Sequence, residues 1–322
     1  MNNRHPQVTQ TAFCTPDLPG TIRRFIEVFH FADAGGDVLW GEWLARMQDV
    51  GDEVACSIWW LCSRQSFFQL EFFHHTLPPS KPWAINRPAS ALGWTRIGIS
   101  VPDFDATLAR LAGFGIETCT EPRTIGGGRR VCFRDPDIGV FVEILEEGTA
   151  VPAQERFFDV APTIVYSTLS VSDLAEARRF FGEVMDLPEL DADLLHDETM
   201  EALWELDGAR RKMAVFDGGG VSIELVEYED PKPEPRGEET TVIDQGFSHV
   251  AFGFRERADL DLLVGRLEAD GRGFTLPMGD PPAGTYLFGP DGIPMEILSI
   301  PAERDGDAGF VPREVKLRPP SW

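Results

Sequence analysis

The sequence predicts an α+β fold made of four copies of one strand–helix–three-strand unit. Two repeated positions carry this prediction. The first lies in the opening strand of each copy, seven residues before an acidic residue that ends the strand, and is occupied by Gln10, Arg96, Tyr166 and His249. The second is a glutamate in the last strand of each copy, namely Glu71, Glu143, Glu224 and Glu296.

The spacing between the two positions alternates. It is 61, 47, 58 and 47 residues in the four copies, and the copies of each pair start 86 and 83 residues apart. The first and third copies also open their helices alike, with Arg23-Arg24-Phe25 and Arg178-Arg179-Phe180. We infer a two-unit protein that has been duplicated.

The first unit illustrates the pattern. Residues 8–18 are typical of a strand, with Asp17 as the cap of the helix that follows. Apolar residues of that helix recur three and four positions apart, at Ile22, Phe25, Ile26 and Phe29. Short strands are expected near residues 38–43, 54–61 and 67–73.

The other units follow the same order. We predict two pairs of units, residues 1–150 and 151–322, with the individual units at 1–80, 91–147, 160–229 and 246–299. Helices are expected near residues 106–111, 174–185 and 260–267. Pro-rich or polar linkers are predicted at 77–90, 147–162 and 230–240, and the tail after Pro301 is expected to extend along the surface.

Composition excludes several classes of partner. The net charge of −24 disfavours nucleic acid and anionic membranes, and no apolar run is long enough to span a bilayer. The five cysteines form no C-x-x-C pair, which is typical of reduced, mostly buried thiols. We therefore expect a cytoplasmic protein, a monomer or homodimer, whose partner is a small-molecule substrate.

Two segments of the fourth unit contain candidate site residues. His249 is the one polar ring in the apolar stretch Gly246-Phe-Ser-His-Val-Ala-Phe-Gly, and Glu296 follows a Pro-Asp-Gly turn. A single His or Glu in a strand is usually structural, but His249 is the only histidine at the repeated first-strand position. In the first unit, His74 and His75 are expected at the surface. Aromatic residues on the face of Glu71 are expected to line an apolar pocket.

Four such units, with a polar first-strand residue and a last-strand glutamate, resemble the vicinal oxygen chelate superfamily. That superfamily includes glyoxalase I, bleomycin-resistance proteins and extradiol dioxygenases. The resemblance covers nearly the whole chain, from about Val8 to Leu298. It implies that the units pair into two curved eight-stranded mixed sheets with helices outside, each sheet enclosing a hollow that can hold one divalent metal. Because the fold supports many reactions, it implies the fold more strongly than the reaction.

The pairing of units decides where a metal site can form. If the first unit pairs with the fourth, Gln10, Glu71, His249 and Glu296 meet in what we call the first–fourth hollow. This set suits Fe, Mn, Zn, Co or Ni. The second–third hollow would then collect Arg96, Glu143, Tyr166 and Glu224, where Arg cannot be a ligand and the hollow is structural or an anion pocket. Pairing in sequence order would give two poorer sites, Gln10/Glu71/Arg96/Glu143 and Tyr166/Glu224/His249/Glu296. We favour the first arrangement.

Comparison with two branches of the superfamily refines the expected chemistry. Tyr286 lies ten residues before Glu296 in a pattern similar to the Tyr-x-x-x-Pro-x-Gly-x-x-x-Glu signature of extradiol dioxygenases, where the Tyr is a hydrogen-bond donor or acid near the metal. Their first-unit ligand is His, however, and here it is Gln10. Glutathione-binding glyoxalase I enzymes have arginines where this chain has Cys14 and Gln245, which argues against glutathione.

Three functional hypotheses follow. The leading one is a metal-dependent enzyme that moves a proton, as an isomerase or lyase does, on an aromatic or otherwise hydrophobic oxygen-bearing substrate. Gln10, His249 and Glu296 would hold the metal, with Glu71 as fourth ligand or base. The second is an Fe(II)- or Mn-dependent ring-cleaving dioxygenase with Tyr286 as donor. The third is a metal-free protein that binds or sequesters a hydrophobic compound.

Overall fold

A computed structural model describes residues 5–82, 85–148, 157–237, 240–277, 279 and 283–313. Parts of four predicted segments lie outside these ranges: residues 83–84 of the first linker, residues 149–156 of the second, residues 238–239 of the third, and the end of the tail from residue 314. Among the described residues, no helix combines the length and apolar content needed to cross a membrane.

Each unit contains a first strand, a helix and further strands in the predicted order. The strands are β1 (Gln7–Cys14), β2 (Ala32–Gly41), β3 (Val54–Cys62), β4 (Gln69–Leu77), β5 (Gly93–Val101), β6 (Arg123–Ile125), β7 (Gly128–Arg134), β8 (Phe141–Glu146), β9 (Thr163–Ser170), β10 (Glu189–Leu190), β11 (Arg210–Asp217), β12 (Ser222–Asp230), β13 (Gly246–Phe254), β14 (Ala283–Phe288) and β15 (Pro294–Ser299). The α-helices are α1 (Leu18–Phe29), α2 (Glu42–Gln48), α3 (Phe104–Gly113), α4 (Leu174–Arg179) and α5 (Arg257–Ala269). A short π-helix lies at Phe180–Val184. Short 3-10 helices lie at Ala192–Leu194, Glu198–Trp204, Pro290–Gly292 and Ala302–Arg304.

The strands form two mixed sheets, and the pairing of units is the favoured one. The first sheet has the order β14-β15-β13-β1-β4-β3-β2 and combines the first and fourth units. The second has the order β10-β11-β12-β9-β5-β8-β7-β6 and combines the second and third. Each sheet thus takes one unit from residues 1–150 and one from 151–322. The prediction of eight strands holds for the second sheet, whereas the described part of the first has seven.

Within each sheet the first strands of the two units lie side by side. β1 runs antiparallel to β13, and β5 runs antiparallel to β9. The last strand of every unit lies parallel to its own first strand, as in β1 with β4 and β13 with β15. Because the repeated polar positions lie on these adjacent strands, the topology gathers them at the centre of each sheet.

The acidic residue that ends the first strand caps the helix in three units. The side chains of Asp17, Asp103 and Asp173 each accept a hydrogen bond from the backbone amide three residues later. Such a bond satisfies a donor that the first helical turn leaves open. Glu256, in the fourth unit, is also the N-cap residue but makes no side-chain cap bond. The repeated acidic position is therefore explained by helix initiation in three of four copies.

The two faces of each sheet differ. On β4, Phe72 packs edge-on against Phe25 of α1, with ring centroids 5.0 Å apart, while the preceding Glu71 faces the hollow. Side chains alternate between faces along a strand, so the helix side is the core and the other side is free to form a site. The main apolar core includes residues from both sheets and from α1, α3, α4 and α5.

Two local expectations were wrong, one for the first unit and one for the tail. Residues 42–43, predicted as the end of a strand, begin α2 after Gly41, which has a φ of 109°. The tail does not simply follow the surface: Phe310 is buried against Phe67, and the Gly309 carbonyl accepts a hydrogen bond from the thiol of Cys62. The tail thereby closes one end of the first–fourth hollow.

Candidate metal centre

The first–fourth hollow brings together three groups capable of binding a metal. One donor atom from each of Glu71, His249 and Glu296 lies within 4.8 Å of the others, and all three side chains are buried. His249 Nε2 lies 3.3 Å from Glu296 Oε2 and 3.7 Å from Glu71 Oε2. Ligand atoms about 2.1 Å from one ion lie roughly 3–4 Å from each other, so the spacing is close to that of a metal site.

The neighbouring Ser248 fixes the protonation of His249. The Ser248 hydroxyl donates its only proton to the Val242 carbonyl oxygen, at 2.6 Å. Its oxygen lies 3.0 Å from His249 Nδ1 and must therefore accept a hydrogen bond from it. The neutral ring then has a bare Nε2, and this atom faces the two carboxylates. Orientation of a histidine through its second nitrogen is what a metal ligand requires.

Glu71 is held by two donors on one side. Trp60 Nε1 donates to Glu71 Oε1 at 2.9 Å, and Gln10 Nε2 donates to the same oxygen at 3.3 Å. The other carboxylate oxygen is the one nearest His249. Because the Gln10 nitrogen is used in this way, its amide oxygen is buried without a hydrogen-bond partner among the described residues. A buried acceptor of this kind costs stability unless something binds it.

The charges of the first–fourth hollow are not balanced by the protein. Burial raises the pKa of Glu71, and the charge of Glu296 raises it further. Burial likewise raises the pKa of Glu296. Burial lowers the pKa of His249 to about 4, so the close approach of His249 to Glu296 is not an ion pair near neutral pH. Among the described residues, the site has two carboxyl groups, a neutral imidazole and no cation to pair with them.

Tyr286 lies beside the histidine. Its hydroxyl is 3.4 Å from His249 Nε2, which has no proton to donate, so the tyrosine is the donor. The two rings meet edge-on with centroids 4.8 Å apart. Two residues earlier on β14, a side chain at Gly284 would place its Cβ 2.8 Å from Glu296 Oε1. Glycine there leaves the carboxylate room.

A cavity of about 500 Å³ opens onto Glu71, Tyr286 and Glu296. This volume falls within the usual range for small-molecule sites. Its walls include α2, strands of the first sheet and residues 276, 277, 279 and 307–308. The predicted aromatic lining is present in part, since Trp43, Trp60 and Phe73 contact the cavity. His75, expected at the surface, is instead buried beneath α2.

The second–third hollow is filled by the protein itself. The segment between β10 and β11 places the His196 ring between the two repeated glutamates. Nδ1 lies 2.5 Å from Glu224 Oε1 and Nε2 lies 3.0 Å from Glu143 Oε2. Because the ring separates the carboxylates, their oxygens cannot converge on one ion. Arg96 donates to Glu224 at 2.8 Å, and its guanidinium lies 4.0 Å over the Trp204 ring.

The pKa shift of Glu224 in the second–third hollow has the opposite direction to the shifts of the glutamates at the candidate metal centre. Burial would raise the pKa of Glu224, but the charges of His196 and Arg96 outweigh it and hold the pKa well below its usual range. Burial also opposes ionisation of His196, yet the two glutamates raise its pKa. Tyr166 donates to Glu143 at 2.6 Å. Both glutamates of the second–third hollow are therefore saturated with partners, as expected for the structural alternative, although Arg96 Nε and Arg130 Nε have no hydrogen-bond partner among the described residues.

Sequence reasoning placed Gln10, Glu71, His249, Glu296 and Tyr286 in one hollow, and the structure brings all five together there. It missed Ser248 and His196, and it missed that Trp60 donates a hydrogen bond to Glu71. Ser248 precedes His249, and the hydroxyl next to a candidate ligand was an available signal. His196 lies in a segment without a counterpart in the short units, so the repeat could not locate it.

Comparison with known proteins found a family match for part of the chain. Residues 163–297 match the family model of the Glyoxalase/Bleomycin resistance protein/Dioxygenase superfamily. The match covers the third and fourth units, and the rest of the chain shares the superfamily's glyoxalase-like fold. The predicted resemblance to the vicinal oxygen chelate superfamily is confirmed. No curated protein matches the chain in sequence.

Two kinds of solved structure are similar over nearly the whole chain. Glyoxalase I from Zea mays has a TM-score of 0.57 and 14% identity, over 91% of this chain and 92% of that one. A candidate dioxygenase from Bacillus subtilis has a TM-score of 0.60 and 15% identity, over 94% of this chain and 90% of that one. At these identities the similarity establishes the fold, and the superfamily includes both glyoxalase and dioxygenase enzymes.

The donor set of the first–fourth hollow fits a divalent ion. It offers two carboxylates, the bare nitrogen of a neutral His249 and the unpartnered amide oxygen of Gln10. Oxygen and imidazole donors suit Zn, Fe(II), Mn, Co and Ni. A divalent charge would also neutralise the two carboxylates that the protein leaves unpaired. Gln10, Glu71, His249 and Glu296 are accordingly the residues that would hold the ion.

Proposed function

We propose that the first–fourth hollow is the active site of a metal-dependent enzyme that moves a proton on a small oxygen-bearing substrate. The observation that carries the proposal is the placement of Glu71. One of its carboxylate oxygens is tied to Trp60 and Gln10, and the other faces His249 among the donor atoms. A carboxylate that stays in place at the site favours proton chemistry over a three-ligand oxygen-activating site.

The bound ion would supply Lewis-acid polarisation of two neighbouring substrate oxygens. The chain supplies the base. Glu71 is the carboxylate placed to exchange a proton with a substrate carbon or oxygen. In the metal-free chain, burial and the charge of Glu296 raise its pKa to about 7. Trp60 and Gln10 fix the direction from which Glu71 approaches. The apolar walls exclude water from the transferred proton.

Proton chemistry can be tested after metal removal. Chelator-treated protein, reloaded with one of Zn, Mn, Fe(II), Co or Ni, should bind about one equivalent per chain, and His249→Ala should lose it. Loaded protein should exchange the carbon-bound protons of α-hydroxyketones or 1,2-diketones with D₂O, as followed by NMR. Glu71→Gln should retain the metal and lose the exchange. Stoichiometric metal without any exchange across the panel would contradict proton chemistry.

A second candidate function is ring cleavage of a dihydroxylated aromatic by the Fe(II)- or Mn-loaded protein. The specific observation in its favour is Tyr286, a buried hydroxyl that donates to His249 Nε2 at 3.4 Å. Anaerobic reconstitution followed by oxygen-uptake measurements with catechols and hydroquinones separates the two enzyme functions. Oxygen uptake that Tyr286→Phe diminishes would favour cleavage, and zero uptake across the panel would count against it.

A metal-free binding role remains the third alternative. It predicts no stoichiometric metal and ligand binding that chelator treatment does not change. Both outcomes are measured in the experiments above, with Glu296→Gln as a second variant at the proposed ligand set. Loss of metal in both His249→Ala and Glu296→Gln, with the fold retained by circular dichroism, would exclude this alternative.

A further inference from the structure

The cavity in the first–fourth hollow does not have the positively charged lining that is expected of a site for an anionic substrate. The charged side chains that line it are Glu71, Glu296 and Asp307. No Lys or Arg is among the lining residues that the structure describes. The second–third hollow offers the contrast, because there Arg96 and Arg130 contact the two glutamates directly. A buried anion requires such a partner.

A divalent ion would not change this balance. Its two positive charges equal the two negative charges of Glu71 and Glu296 once both carboxyl groups are ionised. Among the described lining residues, no net positive charge would remain to attract a carboxylate, phosphate or sulfonate on the substrate. Asp307, at the tail side of the cavity, pairs at 3.1 Å with Arg304, which is not one of the described lining residues. The chain as a whole, with a net charge of −24, repels anions at longer range.

The remaining walls are apolar or uncharged. Six of the lining side chains are hydrophobic: Leu39, Leu44, Met47, Ile58, Phe73 and Leu298. Of the α2 side chains that line the cavity, Trp43 offers an indole N–H and Gln48 offers an amide. Its amide oxygen lies 3.2 Å from His75 Nε2, and burial keeps His75 neutral by lowering its pKa to about 4. That contact orients the amide without adding charge to the wall.

We propose that this cavity selects an uncharged substrate, whose two neighbouring oxygens face Glu71, His249 and Glu296 and whose apolar body lies against α2. The proposal rests on the proposed function for the oxygen-binding end. It adds that substrates carrying an ionised acid group, including acid-bearing thiol conjugates, are rejected by charge. Selection of this kind is a difference of affinities, produced here by repulsion and the lack of a cationic partner.

The test uses two probes with the same oxygen pair, 4-methylcatechol and 3,4-dihydroxybenzoate. Full-length protein is loaded with Zn, which does not support oxidation, and binding is followed anaerobically by calorimetry. The neutral probe should bind at least about tenfold more tightly than the carboxylate, a difference of about 1.4 kcal/mol. Equal or tighter binding of 3,4-dihydroxybenzoate would overturn the proposal.

A matched pair of variants tests charge rather than shape. Met47 is half-buried on α2 and lines the cavity, so a lysine there can reach the interior. Met47→Lys should reduce the preference for the neutral probe at least fivefold, whereas Met47→Gln should preserve it. An unchanged preference in Met47→Lys, with the fold intact by circular dichroism, would also overturn the proposal.

Failure of the proposed function gives different results. If neither probe binds with or without Zn, the hollow is not a ligand site, and both proposals are wrong. If the neutral probe binds preferentially but Zn does not affect its affinity, the metal-dependent function is wrong while charge selection stands.

Discussion

The two hollows have the same architecture but opposite contents, and the difference comes from the extra residues of the long units. In the first unit these residues form α2, which covers the hollow from its rim and leaves a cavity of about 500 Å³. In the third unit they form the turns at Ala192–Leu194 and Glu198–Trp204, which place His196 and Trp204 inside the second–third hollow. One insertion makes a site, and the other removes it.

The comparison also explains the charges. Relative to the neighbouring strand, Arg96 occupies on β5 the place that His249 occupies on β13: Arg96 pairs with Thr168, and His249 pairs with Ala12. The second–third hollow supplies its own cations, and its glutamates are held ionised. The described residues of the first–fourth hollow supply none, and the pKa values of its glutamates are raised. Carboxylates that the protein pairs with cations stabilise a fold, whereas carboxylates without such partners are available to bind.

The largest loss of stability is expected from breaking the network of charged residues around Glu224 in the second–third hollow. Arg96→Met leaves Glu224 and the Tyr228 hydroxyl without the guanidinium that donates to both at 2.8 Å. We expect the free energy of unfolding to fall by about 3–5 kcal/mol. The equivalent change on the other sheet, His249→Met, removes a neutral group and should cost about 1–2 kcal/mol. Urea denaturation of both variants measures the difference, and equal losses would refute the contrast between hollows.

The second effect is the pH dependence of stability. The pKa values of Glu71 and Glu296 are raised, so the folded metal-free chain holds these protons more tightly than the unfolded chain, whose carboxyl pKa is about 4.3. Stability from these groups is therefore full at low pH and is lost as pH rises through the raised values. The loss begins near pH 4.3, where the unfolded chain releases these protons, and is complete once the pH exceeds the folded-state values of about 7 and about 8. Over that window we expect the free energy of unfolding to fall by several kcal/mol.

Two controls isolate the first–fourth hollow in that measurement. His196 in the other hollow also has a raised pKa, and its contribution is likewise lost as pH rises through that value. Glu71→Gln leaves His196 unchanged and should flatten the slope in part. Saturating Zn should reverse the slope, because binding requires both carboxyl groups to be deprotonated. A slope that neither Glu71→Gln nor Zn alters would assign the pH dependence to another part of the protein.

The smallest effect concerns the orientation of His249. Ser248→Ala removes the hydroxyl that accepts from His249 Nδ1 and so frees the ring to adopt either tautomer. We expect metal affinity to fall about tenfold, measured by competition with a chromogenic chelator. Ser248→Thr, which retains a hydroxyl, should stay within about twofold of the natural protein. Unchanged affinity in Ser248→Ala would mean that the ring is fixed by packing alone.

The repeat made most of the architecture predictable. A polar residue in a first strand and a glutamate in a last strand are set by the position of those strands, and the cap at Asp17 follows from local chemistry. To place Gln10 and His249 in the same hollow needed one additional inference, that the first and fourth units share a sheet. These long-range contacts could be predicted because four similar units can pair in only a few ways.

What could not be predicted lies in the insertions. Nothing in the sequence around His196 or Glu42–Gln48 distinguishes a segment that enters a hollow from one that covers its rim. The burial of His75 likewise depends on α2 lying over β4, and Gln48, its partner, is 27 residues away. Contacts of this kind have no periodic signature, so they emerge only from the packed structure.

The pairing of first with fourth units has a consequence for the order of synthesis. Every strand of the second sheet precedes residue 231, so that sheet can assemble before β13 has been made. β1 must wait for β13, its antiparallel neighbour, until synthesis has passed residue 254. The network around Glu143 and Glu224 can thus form early, while the candidate metal centre is completed only when the fourth unit joins the first.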